Sequence, residues 1–73
     1  YRSEVALWQS TVAESPAKAR PWNNLGYAYA LAGERTRALE AYQQAIRLKP
    51  DYDRAQQNLE TLEKTAAPAL STP

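Results

Sequence analysis

The chain has 73 residues, of which nine are basic and eight acidic, and it contains neither cysteine nor histidine. A net charge of +1 produces no strong field toward polyanions, so we expect no nucleic-acid partner. The absence of cysteine excludes a disulfide framework, and the lack of a long apolar run predicts no direct membrane insertion by this fragment.

The first predicted helix carries a single apolar stripe and ends near Glu14, ahead of Pro16. Its apolar side chains recur at helical spacing, which places them on one face. The stripe consists of Tyr1, Val5, Trp8 and Val12. Ser3 is a candidate cap for this helix.

The second predicted helix covers residues 19–32. Pro21 is tolerated in the first turn, because the amide that proline lacks has no helical partner there. Gly33 supplies the left-handed residue that commonly follows a helix end. A rotation of about 100° per residue gives this helix two opposed faces. One face has Trp22, Leu25 and Tyr29, and the other has Arg20, Asn24, Tyr27 and Leu31.

The third predicted helix covers residues 35–48 and has one apolar side. Because Gly26 and Ala38 are small, they allow the second and third helices to approach each other closely, with the rings of Tyr29 and Tyr42 beside them. We therefore expect Trp8, Trp22, Tyr29 and Tyr42 in the core, together with Leu25 and Ala38. The opposite side is predicted to face solvent and carries Arg37, Glu40, Gln44 and Arg47.

The fourth predicted helix covers residues 52–65, with Asp51 as its N-cap. It has a narrow apolar stripe of Ala55, Leu59, Leu62 and Ala66, which is typical of a terminal capping helix. Its outer side is polar, with Glu60 and Glu63 on adjacent turns. Residues 67–73 contain two prolines and are predicted to form a disordered tail.

Several residue types recur after 34 positions, as Pro50 follows Pro16 and Asn58 follows Asn24. This pattern resembles the tetratricopeptide repeat. The signature residues are Trp22, Leu25, Gly26, Tyr29, Ala38, Tyr42, Ala45 and Pro50. One full repeat, residues 19–52, is flanked by partial repeats, so residues 1–66 are predicted to form one domain. The resemblance implies an all-α fold in which antiparallel helix pairs of a solenoid provide about four helices.

The same resemblance implies a function in protein–protein interaction. In that family the first helix of each pair lines a concave groove, which binds extended or helical peptide segments of partner proteins. We therefore predict a scaffold without enzymatic activity whose partner is a protein or peptide. The predicted partner-binding residues are Arg20, Asn23, Asn24, Tyr27, Leu31, Arg54, Gln57 and Asn58, with Thr61 beside them.

Each of these residues also has a structural interpretation. Asn24 and Asn58 either bond the backbone of a bound peptide or satisfy backbone groups where the helix pairs meet. Arg20 and Arg54 either bind a carboxylate through bidentate hydrogen bonds or are ordinary surface charges. Tyr27 is either a groove contact or a partly buried ring.

The sequence offers no catalytic residue, metal site or cofactor site, since it lacks histidine, cysteine and a glycine-rich phosphate loop. Glu60 and Glu63 have no partners for a metal site. Some relatives in the family hold acidic chaperone tails through a clamp of lysines, arginine and asparagines. This chain keeps Asn24 but has Asn23 and Tyr27 where such a clamp needs lysine and asparagine, which argues against that function.

Two alternative functions remain open. Residues 3–30 resemble the start of the repeat region appended to multi-spanning membrane proteins of the O-mannosyltransferase-like class. That resemblance implies an accessory soluble domain of a membrane glycosyltransferase, tethered through its parent chain, and it leaves the compartment open. A stacked solenoid usually needs three repeats. The second alternative is therefore that the chain is a fragment of a longer array, or a structural segment that self-associates weakly through its first helix.

Overall fold

The computed structural model describes the backbone of residues 4–71 and the side chains of residues 4–64. The described part contains four α-helices and no strand. These are α1 (Glu4–Glu14), α2 (Ala19–Leu31), α3 (Arg35–Leu48) and α4 (Asp53–Ser71). The all-α fold of antiparallel helix pairs is therefore confirmed. Tyr1 and Ser3 lie outside the described residues. Over the described range, none of the helices has the length and apolarity needed to span a bilayer.

The connection between α2 and α3 follows from Gly33. Its φ of 82° lies in the left-handed region, which costs glycine little because it has no Cβ. The turn is closed by the amide of Glu34, which donates to the carbonyl of Tyr29 at 2.9 Å. This bond satisfies one of the carbonyls that a helix end leaves unpaired. The predicted helix stop at Gly33 is confirmed.

The bounds of α4 differ from those predicted. The helix begins at Asp53, so Asp51 is not its N-cap; instead the carboxylate of Asp51 lies 3.4 Å from the ammonium of Lys49. The backbone stays helical through Pro68 to Ser71, beyond the end expected at residue 65. The predicted disordered tail, residues 67–73, thus has helical backbone as far as Ser71, and residues 72–73 lie outside the described part. Disorder of residues 67–73 in solution stays a prediction.

The core lies where α1, α2 and α3 meet, and Leu59 and Leu62 of α4 pack against it. α3 presents alanines and Tyr42 to α2, and Tyr42 is only 2% exposed. Burial and, to a smaller extent, repulsion from Tyr27 raise the pKa of Tyr42 to about 12. The buried apolar residues of the described part are Val12, Leu25, Ala28, Tyr29, Ala38, Ala41, Tyr42, Ala45 and Ala55.

Gly26 of α2 lies directly against the ring of Tyr42 on α3. A Cβ placed on it would lie 2.6 Å from Cδ1 and 2.7 Å from Cε1 of Tyr42, which is inside van der Waals contact. The glycine therefore makes room for the tyrosine ring, as the sequence predicts. The small Ala38 is fully buried, in agreement with the same expectation.

The two tryptophans are less buried than predicted. Trp8 and Trp22 pack against the core but are only partly buried. Trp22 stays at the edge because its indole N–H donates to the carbonyl of Pro16 at 2.8 Å, in the turn that leads into α2. An indole ring is apolar except for its N–H, so it commonly lies at such a boundary between the apolar core and solvent.

α1 packs on α2 and closes one end of the described stack. Its Val12 is buried, and the side-chain amide of Gln9 donates to the hydroxyl of Tyr29 at 2.8 Å, so that hydroxyl has a polar partner. Leu7 of α1 points away from these contacts and is 54% exposed. One large apolar side chain of α1 is therefore uncovered.

Candidate functional site

The first helices of successive pairs, α2 and α4, contact each other directly. Their contact includes a hydrogen bond between two side-chain amides, in which Nδ2 of Asn58 donates to Oδ1 of Asn23 at 3.0 Å. Asn23 is only 2% exposed, so this bond satisfies a polar group that would otherwise be buried at a cost. The two helices are thus held side by side by a specific polar contact.

The surface that α2 and α4 present away from α3 is called here the inner face. Its members on α2 lie at helical spacing, since residues 20, 24, 27 and 31 share one side of the helix. Tyr27 and Leu31 are 53% and 67% exposed. The inner face consists of Arg20, Asn24, Tyr27, Leu31, Arg54, Gln57, Asn58 and Thr61.

The structure distinguishes among the interpretations of these residues. Asn58 bonds a side chain, not a backbone group, and Asn23 lies beneath the inner face as its partner. Tyr27 is 53% exposed, which agrees better with a groove contact than with a partly buried ring. Asn24 is partly buried, while Arg20 and Arg54 are exposed. Of the other predicted residues, Asn58 is partly buried, and Tyr27, Leu31 and Gln57 are exposed.

A basic cleft occupies the end of the inner face where α2 and α4 begin. It has a volume of about 640 Å³. The lining residues include four cations and no acidic side chain: Lys18, Ala19, Arg20, Asn24, Lys49, Tyr52 and Arg54. Arg20, Asn24 and Arg54 were predicted as site residues, whereas Lys18, Lys49 and Tyr52 were not.

The residues that were missed lie in the loops before α2 and α4. Because equivalent helices lie side by side in a repeat array, the residues that precede them also meet at one edge. Lys18 directly precedes α2, and Tyr52 directly precedes α4. The 34-residue offset between those two positions was the signal that could have identified this edge.

A second groove lies on the other side of the molecule, between α2 and α3. It has a volume of about 800 Å³, with Trp22, Leu25 and Tyr29 among the residues lining it. Its rim is polar and includes Arg37, which lies 3.3 Å from Glu34 in an exposed ion pair. On the side of α3 that was predicted to face solvent, Arg37, Glu40 and Arg47 are exposed and Gln44 is partly buried. This side is the comparison surface for tests of binding to the inner face.

Within the described residues, no three acidic, histidine or cysteine side chains come together as a potential metal site. The inner face instead offers amide, guanidinium, phenol and aliphatic groups. These groups can bind a peptide through hydrogen bonds, charge and apolar contact.

The sequence of α2, α3 and the following turn identifies this part of the chain. The family model for the tetratricopeptide repeat matches residues 19–52. Residues 19–52 are a tetratricopeptide repeat. Among curated proteins none matches the chain. The resemblance to the O-mannosyltransferase-like class therefore receives no support.

Tetratricopeptide repeats are in general protein–protein interaction modules, and they are typically non-catalytic. In this repeat, α2 is the first helix of the pair and α3 the second. α4 occupies the position of the next first helix, and α1 that of the preceding second helix. The contact of α2 with α4 agrees with this order, since first helices adjoin in such an array.

Proposed function

We propose that the chain binds an extended peptide segment of a partner protein on the inner face. The observation that carries this proposal is the exposure of Tyr27 and Leu31, which lie one helical turn apart on α2. Large apolar side chains that are more than half exposed, next to polar groups able to bond a backbone, are typical of a recognition surface.

The neighbouring helix completes this surface. Gln57 of α4 is exposed and Asn58 is partly exposed beside it. Asn58 donates one hydrogen bond to Asn23, and its amide oxygen can accept a further hydrogen bond from a peptide N–H. A bound segment would thus have apolar contacts on α2 and polar contacts on α4.

The proposal is tested with a peptide selected from a display library on the immobilised chain. We expect Tyr27→Ala combined with Leu31→Ala to weaken binding of that peptide by about tenfold or more, because central aromatic contacts commonly contribute over 1 kcal/mol. Isothermal titration measures the affinity, and amide chemical shifts locate the contact.

The matched control combines Leu7→Ala with Leu48→Ala, which removes two other exposed leucines of the described part. All four replaced side chains are exposed, so neither double variant is expected to lose much stability. Equal weakening by both variants, or shifts confined to Arg37, Glu40 and Arg47, would contradict the proposal.

Weak self-association through α1 is a second candidate, favoured by the exposed Leu7 beside the partly buried Val5 and Trp8. We expect sedimentation to show concentration-dependent dimers as the chain approaches about 1 mM, and Leu7→Glu to abolish them by placing a charge in the contact. Leu31→Glu changes the net charge equally and should leave dimers intact. A wild-type chain that stays monomeric over this range would rule the candidate out.

A further inference from the structure

α3 packs between two helices, whereas α1 packs on one. α3 contacts α2, the first helix of its own pair, and α4, the first helix of the next pair. Within the described part of the chain, α1 contacts α2 alone. Because residue types recur after 34 positions, α1 corresponds to α3, and its contact with α2 corresponds to the contact of α3 with α4. The side of α1 that corresponds to the α2-facing side of α3 therefore has no described helix against it.

The residues on this side of α1 follow from the same offset. Three residues of α3 that are at most 2% exposed have counterparts 34 positions earlier: Glu4 for Ala38, Leu7 for Ala41 and Trp8 for Tyr42. These three counterparts are called here the open side of α1. Leu7 is 54% exposed, Glu4 is exposed and Trp8 is only partly buried. Positions that α2 covers on α3 are thus accessible on α1.

The pair of α2 and α3 shows which kind of helix fits such a side. Gly26 of α2 lies against Tyr42, and a Cβ on this glycine would lie 2.6 Å from Cδ1 of the ring. Trp8 has the position of Tyr42 and a larger ring, so a helix docked in the same way needs glycine where it faces Trp8. An apolar residue beside that glycine, like Leu25 in α2, would cover Leu7.

The charge of the open side specifies the docked helix further. Glu4 corresponds to Ala38, which is fully buried, so a helix docked like α2 would cover the carboxylate. Covering a carboxylate without a partner is costly, and a basic side chain offsets that cost. In the antiparallel pair of α2 and α3, Ala30 lies one turn after Gly26 and is level with Ala38. The docked helix therefore needs lysine or arginine four positions after its glycine.

We propose that the open side of α1 binds a helix of a partner protein, with glycine over Trp8, an apolar residue beside the glycine, and lysine or arginine four positions after it. On α1 this helix takes the place that α2 takes on α3, and it extends the stack by one helix. The inference goes beyond the proposed peptide binding, because the open side of α1 and the inner face are different surfaces.

A second copy of the chain matches the open side less well than such a helix. Since α2 already packs between α1 and α3, the first helix that a second copy can offer is α4. Glu60 of α4 stands 34 positions after Gly26, so it would bring a full side chain against Trp8. Two copies that meet through α1 would bring like charges together, because α1 has two glutamates and no basic residue. Such a contact is therefore weak, and a complementary helix should displace it.

The test uses a synthetic peptide of residues 19–33 in which Ala30→Lys supplies the basic residue. One comparison peptide has Gly26→Leu in addition, and the other has Ala30→Glu instead of Ala30→Lys. We expect the first peptide to bind the full chain about tenfold or more tightly than either comparison, because leucine overpacks Trp8 and glutamate repels Glu4. Leucine also favours the helical form of the peptide, so weaker binding cannot come from lost helicity. Isothermal titration measures the affinities, and amide chemical shifts locate the contact.

Two variants of the chain locate the site. Leu7→Asn should weaken binding of the first peptide about tenfold or more, whereas Ala13→Asn, an exposed position of α1 outside the open side, should not. Both replaced side chains are exposed and both changes are neutral, so circular dichroism should show folded chains. Glu4→Gln should remove the preference for lysine over glutamate in the peptide.

Equal affinity of the glycine and leucine peptides, or no binding of any of them, would overturn this inference. Equal weakening by Leu7→Asn and Ala13→Asn, or amide shifts confined to Tyr27 and Leu31, would also overturn it and leave the proposed function standing. Failure of a library-selected peptide to bind the inner face would overturn the proposed function and leave this inference standing. Sedimentation of the chain alone as species larger than a dimer would show that α4 of a second copy docks on α1, and would overturn the choice of partner.

Discussion

Replacing Gly26 by leucine should destabilise the fold by about 1 to 3 kcal/mol, even though leucine is the better helix former. The reason is the ring of Tyr42, which already lies 2.6 Å from the position that a Cβ would occupy. The added side chain must push α2 and α3 apart or force the ring out of its rotamer. Urea unfolding followed by circular dichroism measures the loss.

The cause of that loss can be isolated with a second substitution. Tyr42→Val removes the ring, so Gly26→Leu made in that background should be neutral or stabilising because it fills the vacated space. Ala13→Leu, on the exposed side of α1, is the control for adding the same side chain to a helix surface. Strictly additive effects of the changes at Gly26 and Tyr42 would show that the two residues do not compete for space.

Stability should also fall steeply between pH 10 and pH 12. The pKa of Tyr42 is raised from 10.0 to about 12, chiefly by burial. The unfolded chain therefore releases the phenol proton near pH 10, while the folded chain retains it until about pH 12. Since the folded form then binds more protons, its stability is intact below pH 10 and decreases by roughly 3 kcal/mol as the pH rises toward 12.

The control for this dependence is Tyr42→Phe, which keeps the ring against Gly26 but has no phenol to ionise. All other titratable groups are the same in both proteins, so the difference between the two stability curves isolates Tyr42. We expect the curves to diverge above pH 10. Curves that stay parallel up to pH 12 would show that the phenol has the same pKa in the folded and the unfolded chain.

The helix bounds that could be predicted from the sequence depend on strong local signals. Gly33 ends α2 because only glycine adopts its backbone conformation cheaply, and this preference is a property of a single residue. The start of α4 was misplaced because Asp51, a good cap in isolation, pairs with Lys49 in the turn. The choice between capping and ion pairing depends on how the loop folds.

The candidate site was only partly predictable for a similar reason. Helical periodicity places Arg20, Tyr27 and Leu31 on one side of α2, and that much follows from spacing alone. Periodicity does not reveal that Asn23 is buried against Asn58, since this contact depends on the angle at which two helices cross. Lys18 and Lys49 were missed because residues in loops carry no helical periodicity, and the 34-residue offset between Lys18 and Tyr52 was the signal that remained.

The amide pair of Asn23 and Asn58 has a consequence for how fast and how selectively a ligand is captured. A hydrogen bond between two side chains at 3.0 Å tolerates little sliding or rotation of α4 along α2, because breaking it would strand a buried amide. The spacing of α2 and α4 across the inner face is thus restrained without any ligand. Binding on the inner face then requires little ordering of α2 and α4, so the conformational entropy that is lost is mainly that of the ligand. A stiff or pre-extended ligand should consequently gain more from this surface than a flexible one of the same composition.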